Sequence, residues 1–350
     1  MLNKLKERVD EFKVFNKKKI FTIATTSKIE EYGYLTPIRE TNDFVISGCV
    51  IFEKTILKEL LKILDGNIDI ILVDQEKKVP LRVAKDNSNN LFNDTTIKPI
   101  DTGNLFKVCF NNIHKSKVYG FKPNDITVNA VWSFLNYRMY FYNKKKILII
   151  GAGNIGSKLA LKTVECGASV HIYGKNQHKT FNIEQGLNYI KPKNTISKIE
   201  SSDDLYKAAF MADVVIGATN GVGVIDDEIL NYVKKDCLIV DLGKNNITPK
   251  GLEFALDNEL EIYRVDVTSA FEGYVYELLK TIDILENSYG KKEINGLTLV
   301  SGGYFGKYGD IIVDNINNPT KVFGMSNGKG ALKSIDNNEI QIKINKILEK

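Results

Sequence analysis

A glycine-rich turn between a short apolar strand and a helical stretch constrains the fold more than any other feature of this sequence. The apolar run 146–150 leads into the turn Gly151-Ala152-Gly153-Asn154-Ile155-Gly156, and a helical pattern follows over 154–166. In such a unit the first glycine permits the tight turn, the second lets the backbone approach a pyrophosphate, and the third allows the helix to pack closely on the strand. The turn predicts a parallel α/β sheet that binds a dinucleotide; the alternative is a glycine-rich turn without a nucleotide.

The chain around this turn alternates between strand and helix. Because strands separated by helices form parallel sheets through right-handed crossovers, we expect a doubly wound parallel sheet, a Rossmann domain, with helices on both faces. Six strands within about 120 residues are enough for a complete domain of this kind. The predicted strands lie at 146–150, 169–173, 195–199, 213–216, 237–241 and 261–265, and the predicted helices at 154–166, 203–211, 226–235 and 249–258.

The rest of the chain has strands and helices of its own. A length of 350 residues suits roughly two domains. Asp125 is expected to cap a connecting helix, and an amphipathic helix that begins near Ser269 is expected to cross back to the first domain. We predict an α/β fold in four parts: an N-terminal α/β substrate domain (1–124), the connecting helix (125–142), the Rossmann domain (143–268), and a return helix with a small β-rich C-terminal extension (269–350).

Composition excludes several other classes of protein. Hydrophobic residues make up 43% and charged residues 26%, which excludes a disordered or collagen-like chain. No apolar run approaches the ~18 residues that cross a bilayer, and the first residues lack the apolar stretch of a signal peptide, so we expect no membrane association. The four widely spaced cysteines predict buried free thiols in a cytoplasmic protein. With three histidines available, we expect no metal site.

The net charge of +5 comes mainly from lysines that are scattered along the chain. Nucleic-acid-binding proteins usually concentrate basic side chains on one face, so we set nucleic acid aside as a partner. The lysine runs 17–19 and 144–146 each precede an apolar strand. These lysines are either solvated side chains at the start of a strand or a patch that binds phosphate. We expect a small-molecule partner; the sequence leaves the oligomeric state open, a homo-oligomer included.

The residues after the second predicted Rossmann strand bear on the choice of cofactor. A site for NAD usually has a carboxylate there, which bonds the ribose 2′-hydroxyl, whereas residues 173–179 contain none. Lys175 and Lys179, helped by His178, could neutralise the 2′-phosphate of NADP; alternatively, they are solvated loop lysines. We therefore expect NADP as the preferred cofactor and NAD as the other choice, with Asn176 the first residue to consider if NAD is preferred.

Two later strand ends complete the predicted crevice. Residues 218–223 follow the fourth strand and residues 241–245 follow the fifth, at carboxyl ends where such sheets bind ligands. We expect the nicotinamide to lie against them, although Asn and Gly are also ordinary loop residues. The predicted cofactor-binding residues are Gly151, Gly153, Asn154, Ile155, Gly156, Lys175, Asn176, Lys179, Ala218, Thr219, Asn220, Asp241 and Gly243.

A further set of motifs precedes the glycine-rich turn. Residues 103–108, a predicted strand pair at 117–120, and Asn124-Asp125 lead into it. This passage resembles shikimate dehydrogenases, in which a hairpin and an Asn-Thr-Asp turn precede the Rossmann domain. Residues 174–179 also look like the Asn-Arg-Thr loop with which that family reads NADP.

The resemblance extends to the later strand ends. Residues 218–223 are similar to the Ala-Thr-Pro-x-Gly turn of shikimate dehydrogenases, and residues 239–245 look like a strand end of methylenetetrahydrofolate dehydrogenases. The resemblance covers about 100–270 and implies a two-domain, amino-acid-dehydrogenase-like Rossmann enzyme that binds NADP. The Asn-Val-Thr-x-Pro-x-Lys stretch of shikimate dehydrogenases is matched only loosely by residues 79–85, and their Ser-x-Ser turn has no match near 25–27. The resemblance therefore implies architecture and cofactor, not a particular substrate.

The sequence thus predicts an NAD(P)-dependent oxidoreductase, with NADP favoured, that binds a small polar metabolite in the cleft between the N-terminal and Rossmann domains. Hydride transfer needs an oriented carbon and one acid or base. For that role we select Lys85 with Asp125, because a lysine beside a carboxylate can pass a proton to a developing alkoxide; a surface lysine and a helix cap are the alternatives. Two other functions stay open: an enzyme that uses bound NAD(P) internally, such as a cyclodeaminase or synthase, and a non-catalytic NAD(P)-binding subunit.

Overall fold

The computed structural model divides into two compact units, Met1–Val267 and Thr268–Lys350. The first contains two mainly parallel sheets, and the second contains a smaller mixed sheet. Among the helices that the structure describes, none is long and apolar enough to cross a membrane. The described residues are 1–26, 32–76, 104–221, 223–242 and 245–348.

The first part of Met1–Val267 is a six-stranded sheet with helices packed on it. Its elements are α1 (Leu2–Lys13), β1 (Lys18–Ala24), β2 (Tyr34–Leu35), β3 (Arg39–Glu40), β4 (Phe44–Val50), α2 (Lys54–Leu64), β5 (Ile70–Asp74), α3 (Asn104–Asn112) and β6 (Lys117–Phe121). Strands β4, β1, β5 and β6 lie side by side in that order and run parallel, whereas β2 and β3 pair antiparallel with β4. Apolar side chains of α1, α2 and α3 complete the core on this sheet.

The connections of this sheet diverge at its centre. The chain leaves β1 toward β4 and leaves β5 toward β6, although β1 and β5 are neighbours. Where neighbouring parallel strands send their connections in opposite directions, a crevice forms outside their carboxyl ends. The ends of β1 and β5, at Ala24 and Asp74, lie at such a crevice.

The structure corrects the prediction for residues 117–120. They form no strand pair: β6 is one strand that runs parallel to β5, and the Lys117 N–H donates to the Asp69 carbonyl, 3.0 Å away. The helix α3 that precedes it buries Leu105 and Cys109, four residues apart, on the sheet. A hairpin would instead require an antiparallel neighbour, and the predicted hairpin was therefore wrong.

The rest of the first unit is a six-stranded parallel sheet. Its elements are α4 (Pro123–Met139), β7 (Lys146–Ile150), α5 (Asn154–Glu165), β8 (Ser169–Tyr173), α6 (Gln177–Ile190), β9 (Ile199–Ser202), α7 (Leu205–Ala209), β10 (Val214–Gly217), α8 (Asp227–Leu230), β11 (Leu238–Asp241), α9 (Pro249–Asp257) and β12 (Glu261–Arg264). The strands lie in the order β9-β8-β7-β10-β11-β12, and every neighbouring pair is parallel. This is the strand order of a doubly wound dinucleotide-binding domain, so the predicted Rossmann fold is confirmed.

Helix α4 packs on the Rossmann sheet and differs from its prediction at its start. Val131 and Leu135 are buried in the core of that sheet, and the ring of Trp132 stacks on Tyr142, 5.3 Å between centroids. The residue before the first turn is Lys122, and Pro123 begins the helix, so Asp125 lies inside the first turn and does not cap it. Proline suits this first position because its missing N–H has no partner there.

Three other elements of the Rossmann domain differ from their predictions. The third strand is β9, which starts at Ile199 because the Asn188 side chain bonds both backbone groups of Ile199. Helix α6 was not predicted; Thr180 is the one fully buried residue in its described span. Helix α8 occupies only four residues, Asp227–Leu230, of the helical stretch predicted over 226–235.

A buried carboxylate joins the amino ends of β7 and β10. Asp213 accepts hydrogen bonds from the Lys146 N–H at 2.8 Å and from the ammonium groups of Lys145 and Lys234 at 3.2 and 2.7 Å. Burial alone raises the pKa of Asp213, but these hydrogen bonds outweigh burial and hold the pKa below its usual value. The ionised form of Asp213 therefore stabilises the folded state.

The second unit is a five-stranded sheet with two helices. Its elements are α10 (Thr268–Asn287), β13 (Lys291–Ile294), β14 (Leu297–Ser301), β15 (Ile311–Val313), β16 (Val322–Ser326), β17 (Leu332–Lys333) and α11 (Asn338–Leu348). The strands follow chain order; β14 and β15 are parallel and the other pairs are antiparallel. The predicted β-rich extension is confirmed, but α11, which buries Ile344 and Ile347 against the sheet, was not predicted. The crossing of α10 back to the first domain stays a prediction.

Candidate functional site

Two glycines of the turn between β7 and α5 are required by the fold itself. Gly151 has a φ of +122°, and its N–H donates to the Tyr173 carbonyl at 2.8 Å. A Cβ added at Gly151 would lie 2.5 Å from the Ala218 carbonyl oxygen, and one added at Gly156 would lie 2.0 Å from the Gly151 carbonyl oxygen. Both contacts are impossible for a side chain, so these glycines let β7, β10 and α5 approach one another.

Gly153 is different, because the protein leaves open the space that its Cβ would occupy. No heavy atom lies within 4 Å of that position. Gly153 precedes the first turn of α5, and the first N–H to bond inside that helix is that of Ser157, which donates to the Gly153 carbonyl at 2.9 Å. The N–H groups of Asn154, Ile155 and Gly156 therefore face the open side of the turn, at the positive end of the helix dipole. These residues fit a bound diphosphate.

The loop after β8 joins the turn at the neighbouring strand end. A Cβ at Gly174 would lie 3.1 Å from the Cβ of Ala152, so this loop passes close to the glycine-rich turn. The Asn176 side chain accepts the Lys179 N–H at 2.9 Å and so caps α6. Lys175 is exposed on this loop and Lys179 is exposed in the first turn of α6. Asn176 thus caps the helix, and the two lysines are cationic groups at this strand end.

A buried hydrogen-bond network joins the ends of β10 and β11. The Asn246 side-chain oxygen accepts the Thr219 N–H at 3.0 Å and also the Thr219 hydroxyl, and its side-chain N–H donates to the Asp241 carboxylate at 2.6 Å. The Asn246 carbonyl accepts N–H groups of Val224 and Ile225 at 2.8 and 2.9 Å. Asn246 and Asp241 are both fully buried. The network fixes the strand ends that face the glycine-rich turn.

A cavity of about 460 Å³ lies beside this network at the ends of β11 and β12. Asp241 and Arg264 contribute its charged groups, with the guanidinium 3.6 Å from the carboxylate, and Tyr263 and Leu252 contribute apolar surface. Asn245, at the rim, has a φ of +67°. The predicted residue Gly243 lies outside the described residues.

Asp125 lies between two lysines at the start of α4. Its carboxylate bonds Lys122, 2.8 Å away, and Lys158 of α5. Burial raises the pKa of Asp125, but the hydrogen bonds from Lys122 and Lys158 outweigh burial and hold the pKa below its usual value. Asp125 therefore stays ionised at neutral pH. Its predicted partner Lys85 lies outside the described residues.

The crevice at the ends of β1 and β5 contains polar groups that the sequence analysis did not select. Thr25 is buried, and no group among the described residues bonds its hydroxyl. The Thr25 N–H donates to the Asp74 carboxylate at 3.4 Å, and Asp74, fully buried, also accepts the Glu76 N–H at 2.8 Å. A buried hydroxyl without a protein partner marks a place where a ligand or water bonds it.

Glu76 connects this crevice to the start of α4. Its carboxylate accepts the Asn124 N–H at 2.9 Å, and Asn124 precedes Asp125, which in turn bonds Lys158 of α5. These contacts form a chain of polar groups that runs from the ends of β1 and β5 to α5, the helix after the glycine-rich turn. The signal for Asp74 in the sequence was an acidic residue directly after an apolar strand.

The structure brings the predicted cofactor-binding residues together in part. The chain leaves β7 toward β8 and leaves β10 toward β11, and the carboxyl ends of these strands bring together residues 151–156, 218–219 and 241. Lys175, Asn176 and Lys179 lie at the neighbouring strand end, after β8. Asn220 is exposed after β10. The sequence analysis missed Asn246, which follows the fifth strand and looks like an ordinary loop residue. In the described part of the chain, no three His, Cys, Asp or Glu side chains are arranged to hold a metal ion.

Comparison with known proteins identifies relatives of part of the chain. Residues 142–246 match the family model of the alanine dehydrogenase/PNT C-terminal domain. Glutamyl-tRNA reductase of Thermosipho melanesiensis is 27% identical over 149 residues, 42% of this chain and 38% of the relative. Glycerol-3-phosphate dehydrogenase [NAD(P)+] of Clostridium botulinum (strain Alaska E43 / Type E3) is 27% identical over 166 residues, 45% of this chain and 50% of the relative. The chain thus spans half or less of the length of these curated relatives.

A solved structure of a shikimate dehydrogenase in complex with NADP+ is also similar. It has 12% sequence identity and a TM-score of 0.39, and the alignment covers 71% of this chain and 84% of that one. The predicted distant resemblance to Rossmann dehydrogenases of this type is confirmed, with the family match and the strand order as its basis. The chain has a dehydrogenase-like, NAD(P)-binding fold.

Proposed function

We propose that this protein is an NADP-preferring oxidoreductase that acts on a small polar metabolite. The observation that carries the proposal is the open space at Gly153. Gly151 and Gly156 are needed by the packing of the protein, whereas no protein atom requires a glycine at 153. A glycine there is explained by a ligand that approaches the backbone, and the adjacent N–H groups at the start of α5 suit the diphosphate of a dinucleotide.

The choice of NADP rests on the start of α6. Lys179 lies in the first turn of that helix and Lys175 precedes it, and that turn contains no acidic residue. A lysine at this end of a helix is opposed by the helix dipole, so the arrangement favours an anion between the lysines and the helix. The 2′-phosphate of NADP supplies such an anion next to the adenosine ribose. The name of the glycerol-3-phosphate dehydrogenase relative, which includes NAD(P)+, supports a nicotinamide cofactor but not the choice between the two.

The substrate is placed at the ends of β1 and β5. When bound, the nicotinamide supplies or accepts a hydride. No group in the described part of the chain bonds the Thr25 hydroxyl, so it can bond a hydroxyl or carbonyl group of the metabolite. Asp74 accepts the Thr25 N–H and so fixes that residue. Buried polar groups of this kind favour an enzyme over a non-catalytic subunit, for which an apolar closure of the crevice is expected.

The proton is assigned to a lysine rather than to Asp125. Because Asp125 is held ionised by Lys122 and Lys158, it has no proton to give at neutral pH. Hydrogen bonding to Asp125 raises the pKa of Lys122, so that lysine stays protonated. Asp125 thus acts as the counter-ion that positions the cations around the start of α4, and Lys85 remains the proposed acid or base.

A matched pair of alanine variants tests the nucleotide site. Gly153→Ala and Gly186→Ala each add a methyl group where no protein atom lies within 4 Å, so both proteins should fold as the wild type does. We expect Gly153→Ala to weaken binding of NADPH by about tenfold or more, measured from its fluorescence, and Gly186→Ala to leave it unchanged. Equal affinities in both variants would contradict the site.

A stoichiometric measurement tests the reaction class. With polar hydroxy acids and keto acids as candidate substrates, an oxidoreductase changes the NADPH absorbance in proportion to product. A protein that consumes substrate with no net change in that absorbance uses its nucleotide internally, as a cyclodeaminase or synthase does, and this result would replace the proposal.

A further inference from the structure

Two glycine-rich loops of the second unit pack against each other. They are residues 302–310, which connect β14 to β15, and residues 327–331, which connect β16 to β17. The Ser326 hydroxyl donates to the Gly306 carbonyl at 2.9 Å, and the Gly309 N–H donates to the Ser326 carbonyl at 3.0 Å. A Cβ at Gly330 would lie 3.3 Å from the Phe305 ring. These contacts hold both loops in a defined arrangement.

The first of these loops displays three aromatic side chains to solvent. Phe305 is 86% exposed, Tyr308 is 67% exposed and Tyr304 is 39% exposed. Tyr304 is held edge-on by Tyr289, whose ring centroid is 6.2 Å away and whose hydroxyl donates to the Gly303 carbonyl at 3.1 Å. Because burial of an aromatic ring is strongly favourable, three exposed rings on one short, ordered loop indicate a contact surface.

One lysine contacts a ring of this group, and two more lysines belong to the same loops. The Lys333 ammonium lies over the Tyr308 ring, 5.5 Å from its centroid, and donates to the Tyr308 hydroxyl at 3.2 Å. Lys307 and Lys329 belong to the two loops. Their one acidic residue is Asp310, which is buried and accepts the Lys307 N–H at 2.8 Å. The loops therefore present cations and aromatic rings without an exposed carboxylate of their own.

We propose that this surface, formed by Tyr304, Phe305, Lys307, Tyr308, Lys329 and Lys333, binds single-stranded nucleic acid. Unpaired bases stack on exposed aromatic rings, and lysines beside the rings neutralise the phosphates that connect those bases. The sequence analysis set nucleic acid aside because the lysines are scattered along the chain, but the packing of the two loops brings three of them to one surface.

The geometry favours this occupant over two others. A membrane-inserting loop projects an apolar tip, whereas the exposed Phe305 is followed by Lys307 and by Tyr308, whose hydroxyl bonds Lys333. An acidic peptide would satisfy the lysines and leave the three rings in water. A strand of nucleotides uses both features at once.

Charge-neutral substitutions test the proposal. A fluorescein-labelled oligothymidylate and an oligouridylate of about 15 nucleotides are titrated with the full chain at about 50 mM salt, with anisotropy as the signal. We expect binding that Phe305→Ala with Tyr308→Ala weakens by about tenfold or more. The double variant has the same net charge as the wild type. If the oligonucleotide were attracted only by the positive charge of the protein, both proteins would therefore bind it with the same affinity. The control Tyr189→Ala removes a ring that is 90% exposed in the first unit and should have no effect.

Three results would overturn the proposal. They are no binding of either oligonucleotide, equal affinity of the double variant and the wild type, and binding to vesicles of anionic phospholipid that the double variant loses while oligonucleotide binding persists. Gly153→Ala should leave oligonucleotide binding unchanged, so failure of the nucleotide site and failure of this surface are distinguishable.

Discussion

Replacing Asn246 by alanine should destabilise the Rossmann part of the chain strongly. Asn246 accepts two hydrogen bonds from Thr219 and donates one to the buried Asp241 carboxylate. The substitution removes all three of these hydrogen bonds. Because a hydrogen bond inside a protein contributes about 0.5–1.5 kcal/mol net, the free energy of unfolding should fall by roughly 3 kcal/mol.

Urea denaturation followed by fluorescence measures this loss. Trp132 is the one tryptophan of the sequence and packs in the core of the Rossmann sheet, so its emission reports on this part of the chain. The control is Asn182→Ala, an exposed asparagine of α6, which should change the free energy of unfolding by less than about 0.5 kcal/mol. A loss under about 1 kcal/mol for Asn246→Ala, with an unchanged denaturant slope, would refute the assigned role of the network.

Three further predictions concern other buried or paired polar groups. Asp213→Asn should lower the melting temperature at neutral pH and lower it less as the pH falls below about 4, because the lowered pKa of Asp213 contributes stability that is present above the unfolded value near 4 and is lost as the pH falls through the folded value; an equal difference at neutral and at acidic pH would contradict this. Thr25→Val should raise the free energy of unfolding by about 1 kcal/mol in urea titrations, since it removes a buried hydroxyl without a partner; a clear loss of stability would show that the hydroxyl is satisfied in the free protein. Asp125→Asn should leave NADPH affinity within about threefold of the wild type while lowering turnover, because Asp125 orients cations and does not line the glycine-rich turn; unchanged turnover would remove it from the site.

Features that depend on neighbouring residues could be predicted from the sequence. The turn at 151–156 and the alternation of strand and helix are local patterns, and they sufficed to predict the doubly wound parallel sheet. Helix α6 was missed because its inward side is only weakly apolar: Thr180 is the one fully buried residue of its described span, and Ile183 and Leu187 pack half-buried on the core.

Features that depend on tertiary contacts could not be predicted. Thr219 and Asn246 are 27 residues apart, and their bond follows only from the parallel pairing of β10 with β11. The hairpin predicted at 117–120 failed for a similar reason, because β6 pairs with β5 across a long intervening segment and not with a strand next to it in the chain. Lys307, Lys329 and Lys333 lie on two loops and a strand of the second unit that come together only through tertiary packing.

The central claim is that the first unit binds NADP through its glycine-rich turn and the lysines at the start of α6. Calorimetric titration of the wild type with NADP and with NAD tests it most directly, with Lys175→Ala measured alongside. We expect NADP to bind about tenfold to a hundredfold more tightly than NAD, the preference to shrink as salt is raised, and Lys175→Ala to weaken NADP alone. Tighter binding of NAD, or no binding of either nucleotide, would contradict the account.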